Sequence, residues 1–526
     1  GDKVGPFGFN VGGTRNDEYR GKDKHVEDRD KNEREAEQEV VRTLTSSLNL
    51  GLTLQVGAHD RITFKPFITD QSEKKDKEKR VSNLATGVPK SRTVENEVKD
   101  QLLQSYGLEW EHRFAGGSTL KVQGLYSNNV EEKDKLAAEY TTAALTFNKN
   151  TYETEDKDDT ELVAAADVKV PLLGPFDTEH VLAAGLKLRD KDRDVTKLVR
   201  EVSKTGVEKI TSTPNDSYTV KETIAAFYLM DEAALSDRFS LTPGLRIELT
   251  DGEYATAGGT SGSGDFVDCN PSLHARFKLD WEMQLRGSVA RTISRPAFKD
   301  KVPTRSVKAD KVEEGNPDLQ AATAINFEAG IEKYFGKNGL VAVNGFHKEI
   351  KSVIEKQLVG IDGTTGLPVQ KPVNAGDATV TGIEFEAKTN LAFIGLNDLS
   401  LTGTYTVQTS EVKDVNTGET RRLTDQPGTL ATVILRYDNS ALGSAASLGM
   451  NYTGKKVNAS DASKATKFEQ AFTQWDVSLT QRLYKGVRLY ASAVNLFNEK
   501  KRVTQGGRSE VEDAGRTFYA GLRFDL

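Results

Sequence analysis

The chain is nearly without cysteine: Cys269 stands alone among 526 residues, which excludes an internal disulfide framework and any metal site built on several thiolates. Long hydrophobic runs are missing too. Only 37% of residues are hydrophobic, and no stretch approaches the roughly 18 consecutive apolar residues of a membrane helix. Neither charge sign dominates, since 28% charged residues leave a formal net charge of −7, so nothing favours nucleic acid as a partner. The six histidines, His25, His59, His112, His180, His274 and His347, lack the close spacing of a metal-ligand set, and no cofactor is expected. No sequence repeat with a period of about 20 to 50 residues recurs, which argues against a propeller or solenoid. No signal peptide opens the chain, and a mature or truncated form is expected.

What is present is alternation. Near the end, Trp475, Val477, Leu479 and Leu483 share one face of a run while Asp476, Ser478, Thr480 and Arg482 share the other, the period of a β-strand. Tyr484-Lys485-Gly486 connects it to Val487, Leu489, Ala491 and Ala493, alternating with Arg488, Tyr490 and Ser492, as in a tight hairpin. The last run sets Phe518, Ala520, Leu522, Phe524 and Leu526 against Tyr519, Gly521, Arg523 and Asp525. An apolar edge strand at a chain terminus invites aggregation unless paired, and closure into a barrel removes every edge. In a bilayer that closure is obligatory. These three runs fit equally a soluble β-sandwich or barrel with the alternation inverted.

The rhythm of the chain decides between them. Short connections near 115–118, 173–176, 236–237, 280–282, 336–339, 394–397, 438–440 and 485–486 alternate with long polar stretches at 132–157, 196–217, 255–267, 296–319, 357–375 and 499–513. An outer-membrane barrel has short periplasmic turns and longer extracellular loops; a sandwich need not. The charged stretches 16–39 and 73–80 read as solvated loops in the same scheme. The prediction is an all-β fold: a transmembrane, antiparallel, up-and-down β-barrel of about 20 to 22 strands occupying residues 1–526. Its faces stay clean, with Leu182, Ala184, Leu186 and Leu188 opposing Lys187 and Arg189, and Leu245, Ile247 and Leu249 opposing Arg246 and Glu248. An arginine facing lipid at mid-depth would cost about 2–4 kcal/mol, so the charged face is assigned to a wet lumen lined by Lys187, Arg189, Arg246, Glu248, Glu384, Glu386, Asp476 and Arg482. Membrane lipid is the expected partner of the other face.

The middle of the chain carries motifs. Ala290-Arg291-Thr292-Ile293-Ser294-Arg295-Pro296 precedes Gly315-Asn316-Pro317-Asp318-Leu319, then Asn326-Phe327-Glu328-Ala329-Gly330-Ile331-Glu332, Asn344-Gly345-Phe346 and Val380-Thr381-Gly382-Ile383-Glu384-Phe385-Glu386. With Asn495-Leu496-Phe497-Asn498 and Gly515-Arg516 near the end, this ordered series resembles the barrel of TonB-dependent outer-membrane receptors. The resemblance is carried by residues 180–526 and implies an outer-membrane transporter of a Gram-negative bacterium, with no bond chemistry of its own. It also implies an N-terminal plug domain and a TonB-engaging segment, neither of which is visible in these 526 residues. TonB, reached through that missing region, and an unknown small ligand or partner protein are the expected partners. The rivals are a plugless scaffold or passage for partner proteins or a secreted polymer, and a passive porin.

Other candidate chemistry is weaker. Glu384/Glu386 and Asp158/Asp159 have the look of carboxylate pairs, but a lumen-facing strand accounts for the first and a solvated loop for the second. Gly258 to Gly264 lacks the Lys-Ser/Thr ending and the following helix of a phosphate cradle, and reads as a flexible loop. Arg295-Pro296 reads as punctuation where a strand ends, because proline has no N–H for the ladder.

Overall fold

The structure, a computed structural model, describes residues 2–308, 311–336, 338–414, 418–459 and 466–524. Lys337 of the 336–339 turn and the terminal Asp525 and Leu526 lie outside that set. When short pieces are taken with the strand they prolong, twenty strands follow one another around one antiparallel sheet, from Phe7–Asp28 to Thr517–Phe524. Its pairings return to their start. Thr517–Phe524 pairs with Val487–Val494, and the stretch just before it, Arg508–Asp513, pairs with Asp23–Asp28 of the first long strand. Lys24 and Glu510 form an ion pair across this seam at 2.7 Å, and below them the Tyr519 hydroxyl donates to Glu18 at 2.9 Å.

The predicted faces are those of the sheet. Leu186 and Leu188 are 61% and 51% exposed, and Leu188, Ala225, Leu249 and Val267 stand side by side on four successive strands. Cross-strand neighbours of that kind make a continuous apolar band, as a lipid-facing wall requires. The short connections 114–118, 174–178, 235–238, 279–282, 392–395 and 440–443 all fall at the same end of the sheet. Gly486, at φ 79°, takes the left-handed conformation that lets two residues reverse the chain.

Several of the long polar stretches depart from expectation. The charged stretches 16–39 and 73–80 are strand, not loop: Phe7–Asp28, Glu33–Val56 and Asp60–Asn83 have 22, 24 and 24 residues, and only 29–32 turns between the first two. Residues 132–157 likewise reduce to a turn at 142–145, so Asp158 and Asp159 are strand residues. A tilted membrane strand needs only about 9–11 residues. The first seven strands therefore rise well above the apolar band as a wall.

Ion pairs hold that wall together. On the face opposite Leu48 and Leu52, Lys79 meets Glu35 at 2.9 Å, Lys77 meets Glu37 at 3.0 Å, Lys75 meets Glu97 at 2.9 Å and Lys135 meets Glu95 at 2.8 Å. Further round, Lys133 and Lys197 each bridge Glu153 and Glu155 at 2.9–3.1 Å. One exposed pair contributes at most about 1 kcal/mol; repetition across strands fixes register where no apolar face can. Burial opposes the charge of Glu153, but Lys197 and Lys133 outweigh it and hold its carboxyl down at about 2. A depressed carboxylate stabilises above its ordinary pKa and loses that contribution as pH falls through the depressed one. Pepsin cleavage of the Thr119–Leu173 hairpin is thus expected to rise between about pH 4.5 and about pH 2, and to shift to higher pH in Lys197→Met.

Candidate functional site at the extracellular mouth and the inner wall

Two excursions at the extracellular end, 295–321 and 352–377, build a second sheet. Its strands are Arg305–Val307, Val312–Glu314, Pro368–Asn374 and Ile354–Ile361. The two excursions meet through the parallel pairing of Val312 with Val369 and Glu313 with Gln370. The most completely buried aliphatic side chains lie here: Val302, Val312, Ala375 and Val412 have no exposed surface. A barrel with a wet interior has little other dry core, so this small sheet is a solid piece set on the mouth.

The Gly-Asn-Pro motif holds it. Gly315 packs against the Val302 carbonyl so closely that a Cβ would fall on the oxygen. The Asn316 amide donates to the Pro372 carbonyl at 3.0 Å, and its backbone N–H to Asp300 at 2.7 Å. Pro317 follows, and Asn374 returns the link by donating to the Gln320 carbonyl at 3.0 Å. On one flank the sheet is fastened by charge. Arg421 donates to Glu355 at 2.5 Å and to Asp414 at 2.7 Å, Gln357 donates to Asp414 at 2.8 Å, and the Thr424 N–H donates to Glu355 at 3.0 Å. Asp414 is 1% and Glu355 7% exposed. On the other flank the Arg305 N–H reaches Asp216 at 3.3 Å. The half-buried Asp362 accepts from Thr365 and Arg305, both at 2.7 Å, and these bonds hold its carboxyl down at about 2.

Below the cap, the sequence candidates sit in different settings along the barrel strands. Arg189 makes two 3.0 Å bonds to Glu161, while the neighbouring Lys187 is exposed. Arg246 donates to Glu248 at 2.5 Å, and Arg295 donates to the other oxygen of the same carboxylate. Arg295 also reaches Thr250 at 3.2 Å and lies over the Phe266 ring, so it is a wall residue, with Pro296 ending its strand. Glu384 accepts from Thr406 at 3.4 Å. Glu386 lines a hollow of about 850 Å³ with Glu179, Glu232, Glu328 and Glu332. A side chain at Gly382 would strike Phe346 and Gln408.

Nearer the C-terminus the candidates hold structure. Asp476 accepts from Gln474 at 3.0 Å and from the Asn495 N–H at 2.9 Å. Asn495, in the left-handed region, donates to the carbonyls of Glu499 and Gly515 at 3.0 Å. Phe497 packs edge-on against Trp475, and Gly515 takes φ 69°. Arg516 is exposed. Arg482 sits at the turn, facing the Ser440 and Ala441 carbonyls at 3.4 Å. Among the described residues no three His, Cys, Asp or Glu side chains converge on one point. Sequence reasoning missed Glu355, Asp414 and Arg421: Glu355 lies 66 residues from Arg421, and none of the three carries a motif.

Known proteins share this architecture. A family model described as TonB dependent receptor-like, beta-barrel, matches residues 42–496. An iron-regulated outer membrane virulence protein of Vibrio cholerae is 26% identical over 312 residues, 58% of this chain and 44% of that protein. The chain thus spans less than half the length of that relative. Among solved structures, the ferric-catecholate import receptor Fiu of E. coli K12 has a TM-score of 0.59 at 13% identity, with 96% of this chain and 82% of that one covered. The siderophore receptor PirA of Pseudomonas aeruginosa has a TM-score of 0.54 at 15% identity, with 96% and 81% covered.

Proposed function

Because the chain belongs to the TonB-dependent receptor-like β-barrel family, we propose that it serves energised uptake of a scarce ligand across the bacterial outer membrane. The family match carries this reading. The named relative is iron-regulated, and the two structures are a ferric-catecholate import receptor and a siderophore receptor, which makes a ferric siderophore the first ligand to test. In this reading energy enters through TonB and a plug domain outside residues 1–526, and the barrel supplies capture and passage without bond chemistry. The tall outer wall and the interlocked cap shape the ligand's entry, and the lumen residues Lys187, Arg189, Arg246, Glu248, Glu384 and Glu386 line a hydrated path of mixed sign, which gives modest charge selectivity. A cap built on the driest core in the molecule favours gated entry over a passive porin.

The test is accumulation of iron-55 bound to a catecholate siderophore by cells expressing the protein, with and without TonB. Uptake that vanishes with TonB supports the proposal. Uptake indifferent to TonB, together with high conductance in planar bilayers, would replace it with the porin reading.

A further inference from the structure

The glycine-rich stretch has a structural use that a flexible loop would not. Ser261–Lys278 is a strand paired with Phe239–Thr256. Alternation turns Gly262, Gly264, Phe266 and Asp268 to one face, and opposite them stand Tyr254, Gly252, Thr250 and Glu248. Since Gly252 and Gly264 face each other, one cross-strand pair of the inner wall carries no side chain. The Tyr254 ring lies over Gly262, where a Cβ would come within 2.7 Å of it. The outcome is a cavity of about 610 Å³ with a glycine floor, Tyr254 and Phe266 at its ends, and Pro296, Lys301, Pro317 and Leu319 above. Each ring sits about 7 Å along the strand from the bare pair, which leaves room for one flat ring between them.

Charge in this hollow is uneven. Two of the carboxylates that line it have a guanidinium, Glu222 with Arg189 at 3.8 Å and Asp268 with Arg291 at 3.3 Å, as has Glu248 just below with Arg246 and Arg295. The other three, Glu253, Asp265 and Asp318, are exposed to solvent. Lys301 is half-buried and forms no ion pair among the described residues, and its Nζ stands 3.5 Å from where a Cβ of Gly264 would be. Asp268, 6% exposed, keeps one buried oxygen, Oδ2, without a partner. The Lys301 ammonium, without a counter-charge among the described residues, can donate a charge-assisted hydrogen bond to an anion.

We propose that this hollow binds a ligand through one flat ring bearing an anionic group, the ring between Tyr254 and Phe266 and the anion on Lys301. Aromatic walls with a few converging polar groups are the usual make-up of a small-molecule site. The inference rests on the uptake reading for the ligand's route but not for its chemistry. The probe is 4-fluorobenzoate, followed by fluorine NMR on the purified protein. Saturable binding is expected, weakened about tenfold by Lys301→Met and abolished by Gly264→Leu, which fills the floor. Neutral 4-fluorobenzamide should be indifferent to Lys301→Met, and Lys204→Met, in an extracellular turn, should change nothing. Unchanged affinity in Lys301→Met, or no saturable binding to wild type, overturns the proposal. Heat-modifiable gel migration certifies that each variant is folded. Intact 4-fluorobenzoate binding without TonB-dependent iron uptake would strike the transport reading alone; uptake without this binding would strike the hollow alone.

Discussion

Gly315→Val is expected to detach the extracellular cap from the barrel. A valine Cβ would occupy the Val302 carbonyl oxygen, and backbone cannot yield as a flexible side chain can. To admit it, 300–304 must separate from 314–316, which breaks the Asn316–Asp300 and Gly315–Thr304 backbone bonds and opens the dry contact around Val302 and Val312. The barrel pairings lie outside this region and should survive. Limited trypsin digestion checks both parts: new cleavage at Lys299, Lys301, Arg305, Lys308 or Lys311, with heat-modifiable migration of the barrel unchanged. Wild-type resistance of the variant would mean that the motif does not hold the cap.

Arg421→Met is the second large effect. Removing the guanidinium takes from the buried Glu355 and Asp414 the arginine they share, and breaking a buried pair in this way costs about 3–5 kcal/mol. The loss should fall on the cap and the 412–424 segment. Hydrogen exchange of the Thr424 and Gln357 amides should accelerate by about two to four orders of magnitude if local opening gains that much free energy. The triple variant Arg421→Met, Glu355→Gln, Asp414→Asn should recover most of the protection, because the penalty comes mainly from buried charges that have lost their arginine. If the triple variant exchanges as fast as the single one, packing of the arginine stem, not charge, fastens the flank.

These two sites show where the sequence is readable and where it is not. The lipid-facing strands are legible because Leu182, Leu186 and Leu188 against Lys187 and Arg189 write period two in apolar and charged letters. The ladder of Glu35, Glu37 and Glu39 against Lys75, Lys77 and Lys79 has the same period. Both faces there are polar, so no hydrophobic signal separates strand from loop, and only the antiparallel match of opposite charges gives it away. Gly262 and Gly264 look like loop residues because the partner that makes them strand is some ten residues upstream. The cap is harder still. Val312 pairs with Val369 in parallel, across two excursions with a complete hairpin between them, and Gly-Asn-Pro by itself signals only a turn. The family resemblance identified these motif positions; the contacts to Val302, Asp300 and Pro372 say what they do.

One alternation, apolar residues to lipid and charged residues to a wet interior, underlies the proposed barrel, and single-cysteine labelling of the folded protein in membranes tests it most directly. With Cys269 replaced by serine, cysteines at 186, 187, 188 and 189 are treated with a charged, membrane-impermeant maleimide. Labelling at 187 and 189, with 186 and 188 protected until the membrane is dissolved, is the predicted result. Uniform labelling of all four, or protection at 187 and 189 with reaction at 186 and 188, would contradict it.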